Sequence, residues 1–483
     1  MRVERDRRSW AIESDTPKHE CGVFGIYAPG EEVARLTFWG VYNLQHRGQE
    51  SAGIATLSDQ GIDVKKRMGL LREGFKEKDI ESLAGFAAIG HTRYSNTGGS
   101  NIANAQPVVY ENIAVAQNGN LINSPQLRTD LMRKGISPSS TDGIRCSSDG
   151  EIIAQVIATS EGKDIIEKIQ TASRKMIGAY TLTILAENSL IALKDSHGFW
   201  PLCLGKINGN GFVVASESAA LDIIKAQYIR EIEPGEIVQI NGRGIQSFKL
   251  PIEARRAECS FDLTYFRAPD SLITPDRYVY EFRRELGRQL AKDFPVDADI
   301  VIGEKDSGTF AAHGFAQVSG IPFNEGSIKN PYSKRVFIDP DRRSRDREVE
   351  LKHRILKPEI YGKRVIVITD SIVRGTTSKG LIRMLREAGA REVHMRVTYP
   401  PITDPCHVGI DMESKGFLIA ANKTVEEIRV EIGADSLAYQ TPEGWEKVSQ
   451  RSLNTYCTAC FTGEYPIPVP ASRDKFVLEG VIN

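Results

Sequence analysis

VIVITDSIVRGTTSKG, residues 365–380, decides the fold of the second half of this chain. It begins as a run of β-branched residues that suits a short buried strand, passes through a polar loop, and enters a helix expected to begin near Ser378. Upstream the same order recurs. Arg277–Lys292 is helical in its apolar spacing, and Ile300–Ile302 is a second β-rich run followed by the loop EKDSG and another helix. Strands alternating with helices predict βα units and a doubly wound parallel sheet.

Toward the N-terminus the texture changes. From Cys21 to about Lys249 the apolar runs are short and many, among them Phe86–Ile89, Ile113–Ala116, Tyr180–Leu185, Gly211–Ala215 and Glu236–Ile240. Gly, Asn and Pro punctuate them, and helices such as Glu151–Ala158 lie between. The expected organisation is a charged leader at 1–20, a strand-rich domain at 21–253, a βα domain at 254–465 and a C-terminal tail at 466–483. A chain of 483 residues is in any case too long for one ordinary core.

With 62 basic and 63 acidic residues, the chain lacks the one-sided field that captures nucleic acid or an anionic membrane, so a small-molecule substrate is expected. The leader has no apolar core of signal-peptide length, and no later run reaches the ~18 apolar residues of a membrane span. A cytoplasmic location follows as the expectation. There, seven cysteines point away from a disulfide framework and toward packing residues, a nucleophile or metal ligands.

Two of those roles can be placed on particular residues. Cys21 opens CGVFGIY directly behind the leader, so a cut after Glu20 would give it a free α-amine. An amine with a pKa of about 8 can act as general base for its own thiol. Taken alone, Cys21 equally fits a small buried residue at a strand start. Cys457 and Cys460 form a C-x-x-C, with Cys259 and Cys406 far upstream; four thiolates satisfy zinc or an iron–sulfur cluster equally well, and spacing does not choose. Asp370 at a strand end, followed by Gly375, Thr376, Thr377 and Ser378 at a helix start, makes an anion site suited to a phosphate.

CGVFGIY, LQHRGQESAGIA, GHTRYSNTGGS, QNGNL and SSDGE, in that order, resemble the glutaminase domain of class II glutamine amidotransferases. The resemblance implies an N-terminal-nucleophile αββα sandwich. In it Cys21 attacks the glutamine amide, Asn118 and the Gly119 amide form the oxyanion hole, Arg93 and Asp149 hold the α-carboxylate and α-amine, and Arg47 and Gly48 of the HRG turn complete the glutamine site. Residues 365–380 resemble the diphosphoribosyl loop of type I phosphoribosyltransferases. That implies phosphoribosyl diphosphate on Asp370, Ser371, Arg374 and Gly375–Ser378, pyrophosphate and metal beside Asp306 and Ser307, Mg²⁺ near Ser307, Thr369 and Asp370, and a covering loop with Lys329, Tyr332 and Arg335.

The contexts CSFDLTYFRAPDS, PPITDPCHVGID and CTACFTGEYP resemble the cluster-binding segments of the amidophosphoribosyltransferase family. They imply a structural [4Fe–4S] cluster on Cys259, Cys406, Cys457 and Cys460, which leaves Cys146 and Cys203 as packing residues. The family resemblance further implies ammonia release from glutamine, its internal transfer to C1 of phosphoribosyl diphosphate at the start of purine synthesis, and a homotetramer under purine-nucleotide feedback. The chain departs from the family pattern at Thr369, where a second acid is usual, at Glu304 and Lys305 in place of Val-Pro, and at Pro331 in place of an arginine. Asn96 replaces a threonine, and Ser196 and Trp200 alter the loop DSHGFWPL. Thr369, Lys305 and Pro331 motivate an alternative, the same glutaminase serving another phosphosugar acceptor; a non-catalytic iron–sulfur regulatory homologue is a second.

Overall fold

The computed structural model describes residues 21–207, 209, 211–329, 353–412, 414–470 and 475–482. The leader, Pro331, Tyr332 and Arg335 therefore lie outside the described residues.

The N-terminal unit is two stacked antiparallel sheets between helical layers. Gly22–Tyr27 is the fourth strand of a seven-stranded sheet, flanked by Gly211–Ala215 and Ala87–Arg93. All six of its residues are buried, because one face meets the second sheet and the other meets a helix. The second sheet has six strands, with Gly178–Ala186 and Ile113–Leu121 paired near its middle. Val23, Ala55 and Ile89 of the first sheet interleave with Ala116, Leu190 and Val238 of the second. On the outside, Val33–Asn43 covers the first sheet through Val33, Phe38 and Val41. The second sheet is covered by Ser124–Arg133, Asp149–Ala158 and Ile165–Ser173, whose apolar stripes fill a separate core. This is the αββα sandwich.

The C-terminal unit is built on a four-stranded parallel sheet in the order Ile300–Gly303, Arg364–Thr369, Glu392–Val397, Ser436–Tyr439. Helices Val279–Asp293 and Thr309–Ser319 pack on one face around Phe315, Ile366 and Ile368. Thr376–Glu387 and Val425–Ile432 pack on the other around Val365, Leu381 and Ile428. Burial on both faces explains why VIVIT reads as an unbroken β-branched run rather than an alternation. The helix expected near Ser378 begins at Thr376, because Gly375 takes φ +85° and turns the chain at once. Likewise Arg277 and Tyr278 lie in a short strand, and the following helix starts at Val279.

A third core joins the units. Phe199 and Trp200 from the sandwich pack among Cys259, Phe261, Tyr399, Val408 and Trp445. Trp200 is fully buried and donates its indole N–H to the Val408 carbonyl at 2.8 Å, so the departure in DSHGFWPL is a packing residue at the junction. The chain end also returns to the sandwich: Val477–Ile482 is helical, and Leu478 is fully buried in the outer core. Among the described residues no helix is long and apolar enough to cross a membrane.

Trp200→Ala removes this plug and its hydrogen bond. A loss of about 3–5 kcal/mol is expected for such a truncation, read as a lower urea midpoint, with Trp200→Phe losing less because most of the ring volume remains.

Candidate functional site

Cys21 immediately precedes the central strand and is 5% exposed. Its thiol donates to the Tyr94 carbonyl at 3.3 Å, and its own carbonyl accepts from Arg47 Nε at 3.2 Å. Arg47 comes from the turn after Val33–Asn43. Gly48 follows because a Cβ there would stand 2.6 Å from backbone carbons of Thr92 and Arg93; only glycine lets the turn lie against the strand end.

The segment Tyr94–Gly99 laces the glutamine-site candidates together. Arg93, at the end of its strand, donates Nη2 to the Thr97 carbonyl at 3.0 Å and Nη1 to the Gly99 carbonyl at 3.2 Å. Thr97 donates its hydroxyl to Asn120 Oδ1 at 2.6 Å, two residues from Asn118. Asn104 bridges the Gly99 carbonyl and the Ser147 hydroxyl, two residues from Asp149. Asp149 opens its helix and accepts from the Leu121 amide at 2.8 Å. Cys21, Arg93, the 118–119 strand and Asp149 thus border one loop.

Asn118 is fully buried, and among the described residues neither atom of its side-chain amide has a hydrogen-bond partner. A buried amide donor without a partner is costly unless something else is meant to meet it. Gly119 takes φ +127°, and a Cβ there would lie 2.2 Å from the Ala179 carbonyl.

In the C-terminal unit, Asp370 sits where parallel-sheet ligands bind, just beyond a strand end. It accepts from the Ser371 hydroxyl at 2.6 Å and is hydrogen-bonded by Ser307. Burial pushes its carboxyl up from the usual range, and the hydroxyls and nearby Arg283 oppose that shift. Thr369 is 1% exposed, so its hydroxyl is more enclosed than the Asp370 carboxylate beside it. Gly375–Ser378 form the turn and first residues of the following helix, and the Arg374 guanidinium lies 5.7 Å over the Phe417 ring. Lys329 pairs with Asp306, and Lys305 with Glu325.

The four cysteines meet. Cys259 and Cys457 face each other across a two-residue parallel ladder, and with Cys406 and Cys460 they line one cavity of about 20 Å³. Tyr399 Oη lies 3.3 Å from Cys460 Sγ. Burial pushes the Cys457 thiol up to about 12 and raises Cys460 as well. Among the described residues, no three His, Cys, Asp or Glu side chains stand in a group that could hold a metal ion as placed. The four thiols nevertheless line the same cavity, and sulfur donors are the type an iron–sulfur cluster takes. Cys146 and Cys203 are buried packing residues.

A cysteine thus heads the central strand of an αββα sandwich, which is joined to a doubly wound sheet with a glycine turn at a helix start, and comparison with known proteins places this arrangement among the glutamine amidotransferases. A glutamine amidotransferase domain family matches residues 91–223. The amidophosphoribosyltransferase of Synechococcus elongatus is 45% identical over 97% of this chain and 96% of its own length. That of Synechocystis sp. is 46% identical over 97% and 95%. The solved glutamine phosphoribosylpyrophosphate amidotransferase from B. subtilis, complexed with ADP and GMP, superposes with a TM-score of 0.86 at 40% identity, over 93% of this chain and 98% of that one. The chain belongs to the amidophosphoribosyltransferase family, the glutamine-dependent enzymes of the first step of purine synthesis.

Several residues at these sites went unread in the sequence. Tyr94, Thr97 and Asn120 lie inside motifs already quoted, so position in the motif was the available signal. Asp262, which reaches Arg47 from 215 residues away, and Tyr265, whose hydroxyl is pushed up by burial and the nearby Asp370, lie inside a motif read for its cysteine, while Arg283, whose guanidinium acts on Asp370, carries no local signal. Gly119→Ala forces a side chain into the Ala179 carbonyl and out of its preferred backbone region. Glutamate release from glutamine is expected to fall at least about tenfold, while a control such as Gly61→Ala on the open hairpin turn changes it little.

Proposed function

We propose that this chain forms 5-phosphoribosylamine, pyrophosphate and glutamate from phosphoribosyl diphosphate, glutamine and water. The observation that carries the reading is Asn118, a buried amide with no partner among the described residues, on the strand facing that of Cys21 across the sandwich.

Removal of residues 1–20 turns the Cys21 backbone nitrogen into an amine. The amine takes the thiol proton, and sulfur adds to the glutamine carbonyl carbon. Asn118 Nδ2 and the Gly119 amide meet the resulting oxyanion, where fixed donors act most strongly. Collapse expels ammonia, which carries off the proton held by the amine, and leaves a thioester. Water then adds, glutamate departs, and the thiol is restored. Arg93 binds the glutamine α-carboxylate in place of loop carbonyls, and Asp149 binds the α-amine. Ammonia passes internally to C1 of the ribose and displaces pyrophosphate; in open water it would become ammonium and lose its nucleophilic lone pair.

In the C-terminal unit Gly375–Ser378 hold the 5-phosphate at a helix start, and Asp370 and Ser371 hold the ribose, with Arg374 beside them. Lys329, beside Asp306, would take part in covering the site, as the family resemblance implies for Tyr332 and Arg335, which lie outside the described residues. Asp370 with the Ser307 hydroxyl is an oxygen donor set suited to a hard cation, and Thr369 stands next to it. Mg²⁺ held there would neutralise charge on the departing pyrophosphate. Cys259, Cys406, Cys457 and Cys460 would hold a [4Fe–4S] cluster, whose contribution is to fasten three chain segments to one another. The ADP and GMP in the B. subtilis relative support purine nucleotides as feedback ligands. A homotetramer in the cytoplasm completes the reading.

Mature protein should release pyrophosphate from phosphoribosyl diphosphate only with Mg²⁺ and a nitrogen donor; release no faster than a no-enzyme control would turn the reading toward another phosphosugar. Asn118→Ala should cost about 10²–10³ in glutamine-dependent turnover, and Cys21→Ala should abolish it. Anaerobically purified protein is expected to carry about four iron and four sulfide per chain, with iron lost in Cys457→Ser; iron-free protein with full activity would remove the cluster from the account.

A further inference from the structure

The Arg47 clamp on Cys21 is not completed by the glutaminase unit alone. Arg47 pairs with Glu217 of its own unit, and its Nη1 and Nη2 each lie 3.3 Å from Oδ1 of Asp262 across the junction. Asp262 opens a π-helical turn, Asp262–Phe266, a rare geometry that recurs at functional sites. Its other oxygen accepts from Arg267 Nε at 2.8 Å. Arg267 reaches Glu258 at 3.1 Å, and its carbonyl accepts from Arg283 Nη2 at 2.7 Å. Glu217 in turn accepts from the Ala268 amide at 2.8 Å and the Ser271 hydroxyl at 2.9 Å, and His46 Nε2 lies 3.0 Å from it.

Arg47, Arg267 and Arg283 are at most 5% exposed, and Glu217, Asp262 and Glu258 at most 7%. Replacing such a buried network with apolar groups is commonly neutral or stabilising, whereas removing one member is not. Net stability is therefore a weak reason for keeping such a network, and fixed geometry is the role its bonds to Arg47 favour. We propose that Asp262 is a positioning residue for glutamine cleavage: the phosphoribosyl unit supplies through it the anchor that holds Arg47, and with it the Cys21 backbone, so that the glutaminase is complete only when the two units are docked. This rests on Cys21 being the nucleophile.

The test uses the mature full-length protein and compares Asp262→Asn with wild type in two assays: glutamate release from glutamine, and pyrophosphate release with ammonium chloride as nitrogen source. The first is expected to fall at least about tenfold in kcat, with the second within about threefold, and Asp262→Glu to recover part of the loss. Equal loss in both assays, or loss in neither, overturns the proposal. Should Asp262→Asn not fold, Asp262→Glu is read the same way, with glutamate release falling and ammonium-dependent release retained. If Cys21→Ala still cleaves glutamine, the nucleophile reading fails, and this result is separable from any outcome at Asp262.

Discussion

The ion cluster buried between the two units is the constraint on which the rest of the structure depends. Arg47 cannot be left in a dry interior without carboxylates on both sides, and these come from Glu217 in one unit and Asp262 in the other. The cluster fixes how the units meet. Around it the apolar junction, with Trp200 seated against Gly409, excludes water and strengthens each charge pair. Asn120 adds a further tie by donating to the His407 carbonyl at 3.0 Å.

From this junction the candidate glutamine site is built outward by one loop. Tyr94 receives the Cys21 thiol, Arg93 grips the carbonyls of Thr97 and Gly99, and Gly98 donates its amide to the Lys475 carbonyl at 2.9 Å. Glu479 accepts from the Gly99 amide at 3.1 Å. Lys475 also pairs with Asp411 at 2.9 Å, close in sequence to Cys406. The 475–482 segment therefore leans on the loop around Cys21, and ties it to the cysteine-bearing segments.

The fold was legible where local pattern and tertiary role agree. VIVIT is a strand buried on both faces, and Gly375 turns the chain into its helix two residues earlier than the polar run suggested. CGVFGIY is an inner strand, and Gly48 and Gly119 serve close backbone approaches. Other features depended on contacts that no window of sequence contains. Trp200 looked like a departure from a loop pattern, and only its fit beneath the cysteine-bearing segment explains it. Asp262 lay within a motif assigned to cysteine binding, yet its partner is the HRG turn. Leu478 gave no sign that it fills the outer core of the sandwich, since six residues carry too little periodicity to announce a packing face. The four cysteines were brought to one cavity, but spacing says nothing of whether the thiols will close on an ion, because that step belongs to the metal.

The central claim is that Cys21, freed at its α-amine, is the atom-bearing residue that attacks glutamine. The most direct measurement is covalent: mature protein is incubated with the diazoketone analogue of glutamine, 6-diazo-5-oxonorleucine, digested, and mapped by mass spectrometry. The account predicts one added mass on a peptide whose first residue is Cys21, blocked by excess glutamine. Label on another cysteine, or on a peptide still carrying residues 1–20, would contradict it.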